Sequence, residues 1–204
     1  MRALSLFLSF LFHPLLLVSF GALFIFLTHP VYQLALNTVQ LIYYTSIIFI
    51  GTFILPSSAI YFSRVRGRIE NLYMDKPEDR RIPLLIAAIF VLIVFYLFNY
   101  KIGDRLPFLI KGYLLGTTTS IVIAALINQW YKISLHGIGL GGIMALLIAS
   151  SPVVESDIRY WVLAWVLISG LVGTARVFLG SHKPIQVYLG YLTGFLAIYI
   201  ILQA

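Results

Sequence analysis

The chain has 204 residues, of which 61% are hydrophobic and 10% charged, with a formal charge of +7 and no cysteine. Soluble domains carry a charged fraction nearer a quarter, so a soluble nucleotide-binding fold is excluded, as is a disordered chain. Without thiols there can be no disulfide scaffold, cysteine nucleophile, iron–sulfur cluster or cysteine–zinc site.

A membrane-spanning helix needs about 20 apolar residues. The first such run, Leu4 to Leu27, is interrupted only by His13 and Pro14. It is too long for the apolar part of a secretory signal and no small-residue cleavage site follows it, so it is expected to be a transmembrane helix. His13 is expected to hydrogen-bond a carbonyl freed by the proline kink, and His29-Pro30 to end the helix. A second run extends from about Leu36 to Phe62. A charged loop, Ser63 to Ile82, separates it from a third at Pro83 to Tyr100 and a fourth at Leu106 to Ile127. The fifth, Gly137 to Ser150, is short and carries Gly137, Gly139, Gly141 and Gly142, which suits a helix buried against close neighbours. Tyr160 to Leu179 and Val187 to Leu202 complete the series.

The expectation is one all-α, polytopic transmembrane bundle of six to seven helices spanning residues 1–204, an integral multi-pass protein of a bacterial inner membrane. Trp130 and Tyr131, between the fourth and fifth runs, and Tyr160 and Trp161, at the start of the sixth, are expected to be interfacial anchors. In such a protein the charge of +7 points to cytoplasmic loops and phosphate-bearing lipids, with no nucleic-acid partner.

By parity, the Ser63–Ile82, Gln129–His136 and Gly180–Gln186 loops share one membrane face. That face carries most of the cations and is cytoplasmic if charge bias alone decides. It also gathers the candidate functional residues. Arg176 precedes His182 by six positions, Gln186 follows four later, and Pro184 opens a Gly-rich helix. Ser134 and His136 stand at the mouth of the fifth run. Lys76, Arg80 and Arg81 lie in the charged loop ahead of Pro83. Arginine and lysine side chains can hold the oxygens of a phosphate monoester through charge-assisted hydrogen bonds, bidentate in the case of arginine. Ser134 and the backbone donors at the helix start could complete the cradle.

Arg176-x5-His182 followed by Pro184 resembles the third signature of the type-2 phosphatidic acid phosphatase superfamily, S-R-x5-H-x3-D. Ser134-Leu135-His136 resembles its second signature, P-S-G-H, and Lys76 to Pro83 approximates its first, K-x6-R-P, at shorter spacing. The second and third signatures cover roughly the final third of the chain, and the rest matches only as a helical bundle. The resemblance implies a membrane phosphatase that hydrolyses lipid phosphates or polyprenyl diphosphates without a metal or other cofactor. It implies His182 as the nucleophile that forms a phosphohistidine, and His136 as the acid that protonates the leaving alcohol and then activates water. Gln186 takes the place of the family's orienting aspartate. Its carbonyl can fix the imidazole tautomer but brings no negative charge. Ala175 replaces the signature serine and Leu135 the signature glycine. These departures leave two readings open: an enzyme, slow or altered in substrate geometry, or a non-catalytic subunit that binds membrane lipids and assembles with a membrane-protein partner or a second copy.

Two other patterns are weaker. Asn71, Asp75 and Asp79 follow the magnesium-binding N-x3-D-x3-D spacing of membrane prenyltransferases, but the second aspartate-rich motif is missing and the chain is short for that fold. The last apolar run has no lysine for a retinal Schiff base.

Overall fold

The structure is a computed structural model and describes residues 1–69, 77–102, 106–152 and 157–204. Asn71, Asp75 and Lys76 therefore lie outside the described residues. Ten α-helices run in order: α1 (Arg2–Leu11), α2 (Pro14–Thr28), α3 (Pro30–Ala35), α4 (Thr38–Phe49), α5 (Leu55–Val65), α6 (Pro77–Tyr100), α7 (Phe108–Ile127), α8 (Leu135–Ser150), α9 (Ile158–Phe178) and α10 (Pro184–Gln203). No strand occurs among the described residues.

A π-turn, Ile50–Ile54, joins α4 to α5, so Thr38–Val65 forms one span. Its cause is local. Pro56 has no N–H for the carbonyl of Thr52, and the Leu55 N–H reaches back to the Ile50 carbonyl. Asp79–Tyr100, Phe108–Ile127, Ile158–Phe178 and Pro184–Gln203 are likewise long and apolar enough to cross a membrane. With α1 and α2 taken as one broken span the total is six. The all-helical, multi-pass integral membrane architecture is thus as expected. At 16 residues, α8 is about 24 Å long, short of a hydrocarbon core of about 30 Å. Twelve of its residues are buried, so it is an internal helix of the bundle.

The first apolar run differs from the single helix expected. Pro14 cannot donate to the Phe10 carbonyl, the His13 N–H bonds Phe10 O at 3.1 Å instead, and α1 and α2 diverge by 55°. On α1, Ser5 and Ser9 are buried while Leu4, Leu6, Phe7 and Phe10 are exposed. Its polar stripe faces the protein and its apolar stripe faces outward, the polarity that lipid surroundings favour.

The α8–α10 pair is built on glycine. A Cβ on Gly137 would sit 2.6 Å from the Val187 carbonyl oxygen, and one on Gly141 would sit 2.0 Å from that of Tyr191. From the other side, Cβ atoms on Gly190 and Gly194 would fall 2.4 Å from Ser134 O and 1.9 Å from Ile138 O. Each helix thus offers two glycines four residues apart to its partner's backbone, the close-approach pattern of membrane helices. The contacts advance together along both helices, so α8 and α10 run parallel, and their first turns share one end of the bundle. That is the end where His136 and His182 lie.

Candidate functional site

Four of the residues singled out from the sequence, Arg80, His136, Arg176 and His182, border one cavity of about 510 Å³. Each is placed by a local device. Arg176 lies in the last turn of α9, where a cation meets the negative end of the helix dipole. Beyond it the chain turns through Gly180, at φ 68°, and the N–H groups of Ser181 and His182 both return to the Arg176 carbonyl, at 3.1 and 3.3 Å. This Schellman-type ending requires the left-handed residue that glycine supplies, and it folds the five-residue spacer so that Arg176 and His182 border the same cavity.

His182 is 7% exposed. Its Nδ1 is 3.2 Å from Gln186 Oε1, which also accepts the Lys183 backbone N–H at 3.0 Å. An amide atom that takes a backbone N–H is the oxygen, so the neutral imidazole carries its proton on Nδ1 and keeps its lone pair on Nε2. Burial pushes the His182 pKa down to about 3, helped by the charges of Arg80, Arg176 and Lys132 and partly offset by the bond to Gln186. At neutral pH, His182 is an unprotonated base among cations.

His136 sits in the first turn of α8 and is 9% exposed. Its Nε2–H donates to the Ser9 carbonyl at 3.0 Å. That carbonyl would ordinarily take the His13 N–H, which the proline break diverts to Phe10. The freed carbonyl is therefore satisfied by His136, and not by His13 as the sequence suggested. His13 instead caps α2, its Nδ1 accepting the Leu15 N–H at 3.4 Å. Its ring meets that of His136 edge to face at a centroid distance of 6.3 Å, and it borders the cavity.

Arg80, 5% exposed at the start of α6, donates from Nη1 to the Ile133 carbonyl at 2.9 Å. The Ser134 N–H donates to the Gln186 carbonyl at 3.1 Å. These bonds tie the approach to α8 both to α6 and to the first turn of α10. The remaining expected residues stand elsewhere. Ser134 is fully buried and caps α8, its Oγ accepting the Gly137 N–H at 3.2 Å, and it does not border the cavity. Arg81 is exposed and off the cavity wall. Leu135 borders the cavity, while Ala175 is buried beside it in sequence to Arg176.

The cavity has two chemically different parts. Its polar end gathers Arg80, Arg176 and three histidines, with Arg2 on the wall contributed by α1. Among the described residues no Asp or Glu borders it, and no group of three or more His, Cys, Asp or Glu could hold a metal ion. The Nε of Arg176 is buried without a hydrogen-bond partner. An arginine left partly unpaired beside other cations is a strong acceptor-seeking group. Away from this end Leu17, Ala87, Ile121, Ile138 and Ile198, the last roughly 20 Å along α10 from its start, line the walls together with Tyr113, Thr117 and Ser120, whose hydroxyls donate to the backbone carbonyls of Leu17, Tyr113 and Thr117. The arrangement can bind an anionic headgroup at one end and a hydrocarbon chain along the other, with an unprotonated imidazole at the headgroup.

Sequence reasoning placed His13 with the helix kink and missed that it reaches the site; the one available signal was that an intramembrane histidine is costly to keep. Comparison with protein-family models, with curated proteins and with solved structures gives no match.

Proposed function

We propose that the protein is a lipid-phosphate phosphatase of the type-2 phosphatidic acid phosphatase kind, working in the bacterial cytoplasmic membrane. The observation that carries this reading is the shared cavity of Arg80, Arg176, His136 and His182, whose wall continues past Leu17, Ile121 and Ile138 to Ile198. Arg176 and Arg80 hold the phosphoryl oxygens, and the lipid chain lies toward Ile198. The Nε2 lone pair of His182 attacks phosphorus. The bond from phosphorus to the ester oxygen breaks, and the leaving alkoxide takes a proton that His136 Nδ1 relays from the monoprotonated phosphate, while the Nε2–H stays on the Ser9 carbonyl. Water then attacks the phosphohistidine with His136 as base, which releases inorganic phosphate and restores both rings. Developing negative charge meets the positive side chains of Arg80 and Arg176, fixed in advance of the reaction.

The experiment is phosphate release by the purified protein from phosphatidic acid and from isoprenyl diphosphates, beside His182→Asn. Release by the wild type alone supports the reading, and equal background from both proteins defeats it.

Gln186 favours a second reading. A neutral carbonyl orients His182 but gives no charge to stabilise a cationic ring, so the same cavity could serve a non-catalytic lipid-binding subunit joined to a membrane-protein partner or a second copy. Vanadate or lipid-phosphate binding without turnover, with stable co-purification of a partner, distinguishes it.

A further inference from the structure

Pro14 carries no reactive group, yet its effect reaches His136. In an unbroken helix the Ser9 carbonyl would accept the His13 N–H, and the Phe10 carbonyl would accept the N–H of residue 14. Pro14 has no N–H, so the His13 N–H goes to Phe10 O at 3.1 Å and the Ser9 carbonyl loses its helical partner. Inside a membrane such a carbonyl needs another donor, and the Nε2–H of His136 supplies it at 3.0 Å. Aromatic packing at the break sets where this acceptor points. The ring of Phe12 meets those of Phe20 and Trp165 edge to face, at centroid distances of 6.4 and 6.1 Å. Trp165, on α9, donates from Nε1 to the Leu140 carbonyl at 2.8 Å, and Leu140 lies one turn beyond His136 on α8. The broken end of α1 and the helix that carries His136 are therefore held to one frame.

A carbonyl oxygen can only accept, so the bond to Ser9 fixes the proton of neutral His136 on Nε2 and leaves the lone pair on Nδ1. It fixes the angle of the ring as well. Without that acceptor neither is set, and the ring is free to carry its proton on the nitrogen that has to accept one. Gln186 serves His182 in the same manner with the nitrogens exchanged, Nδ1 bearing the proton and Nε2 the lone pair. Each of the two histidines is thus oriented by a neutral oxygen, one from a side chain and one from a backbone carbonyl that a proline has freed.

We propose that Ser9, through its backbone carbonyl, and Pro14, which frees that carbonyl, are positioning residues for His136: they hold it in the Nε2–H tautomer, with Nδ1 as the nitrogen that takes up and passes on the proton. The role of His136 in turnover rests on the phosphatase reading above, whereas the bond and the tautomer are measurable without turnover.

The test compares full-length wild type and Pro14→Ala in liposomes by solid-state NMR, with 15N in the histidine rings and 13C in the serine carbonyls. His136 is assigned by its loss in His136→Gln, and the Ser9 carbonyl by Ser9→Ala, which keeps the carbonyl but removes its label. In the wild type at neutral pH, Nε2 of His136 is expected to carry the proton and to show dipolar coupling to the Ser9 carbonyl carbon. In Pro14→Ala the N–H of residue 14 can return to Phe10 O and that of His13 to Ser9 O, so the coupling is expected to vanish and the tautomer to change. A wild type without the coupling, or with the proton on Nδ1, overturns the proposal, as does a Pro14→Ala protein that keeps both. Should that variant not fold, the wild-type spectra decide alone. Phosphate release is measured on the same samples. Pro14→Ala is expected to lower kcat about tenfold or more with KM within about twofold, since proton transfer is impaired and phosphate binding is not. An equal kcat in a variant that has lost the coupling overturns the positioning role. No release by the wild type defeats the phosphatase reading, while the spectra still decide whether Ser9 and Pro14 set the ring.

Discussion

Gln186 holds His182 through a single atom: the Oε1 that lies 3.2 Å from His182 Nδ1 also accepts the Lys183 N–H at 3.0 Å. The amide orients the ring without charging it. Replacing it by an isosteric carboxylate, Gln186→Glu, keeps both acceptor contacts and adds the negative charge that stabilises a cationic imidazole. Removing such a charge from a hydrolase triad costs about ten-thousandfold in rate. Gln186→Glu is expected to raise phosphate release about tenfold or more. An unchanged or lower rate would show that the missing negative charge at position 186 is not what limits turnover.

The cations around His182 have a consequence for stability. Its pKa is pushed down to about 3 by burial and by Arg80, Arg176 and Lys132, whereas in the unfolded chain it returns to about 6.5. Between those values the unfolded state binds the proton and the folded state does not. The contribution is therefore fully present above about pH 6.5 and is lost as the pH falls toward 3. The thermal midpoint in detergent should drop from pH 7 to pH 4, and His182→Asn should flatten that drop. Identical slopes in both proteins would contradict the assignment.

Arg176 offers a planar fork that lysine cannot reproduce. Arg176→Lys is expected to lower kcat/KM about tenfold to a hundredfold, an effect of the size of a lost charge-assisted hydrogen bond. Arg159→Ala, which removes an exposed pair with Asp157 at the opposite end of α9, should leave it unchanged. The comparison is made by phosphate release over a range of substrate concentrations.

The glycine seam makes a structural prediction. A Cβ on Gly194 would lie 1.9 Å from the Ile138 carbonyl oxygen, and one on Gly141 would lie 2.0 Å from that of Tyr191, so α8 and α10 must separate to admit either. Gly141→Ala and Gly194→Ala should each destabilise by about 1–3 kcal/mol or more. Gly170 in α9 has no atom within 4 Å of such a Cβ, and Gly170→Ala should be neutral or stabilising. Thermal unfolding in one detergent compares all three.

What could be read from the sequence followed from local rules. Apolar run length gave the spans, and parity brought Arg80, His136, Arg176 and His182 to one end because an even number of passages separates their loops. Periodicity could not give the 55° break at Pro14, since a proline states that a helix is interrupted but not where the preceding segment then points. The meeting of Ser9 with His136, 127 residues apart, depends on that direction. For the same reason the sequence alone points His13 to the kink and not to the cavity. Ser134 had the chemistry of a phosphate ligand and the position of a helix cap, and the structure has its Oγ accepting the Gly137 N–H. The short, glycine-rich fifth run was informative in both respects: its length marked α8 as internal, and its glycines marked where another backbone would press.

The central claim, that His182 is the nucleophile, is tested most directly by trapping its product. Protein exposed briefly to lipid labelled with 32P in its terminal phosphate, then quenched in alkali, should retain an acid-labile, alkali-stable label that maps to His182 and is missing from His182→Asn. Release of labelled phosphate with no such adduct, or an adduct that persists in His182→Asn, would contradict the mechanism.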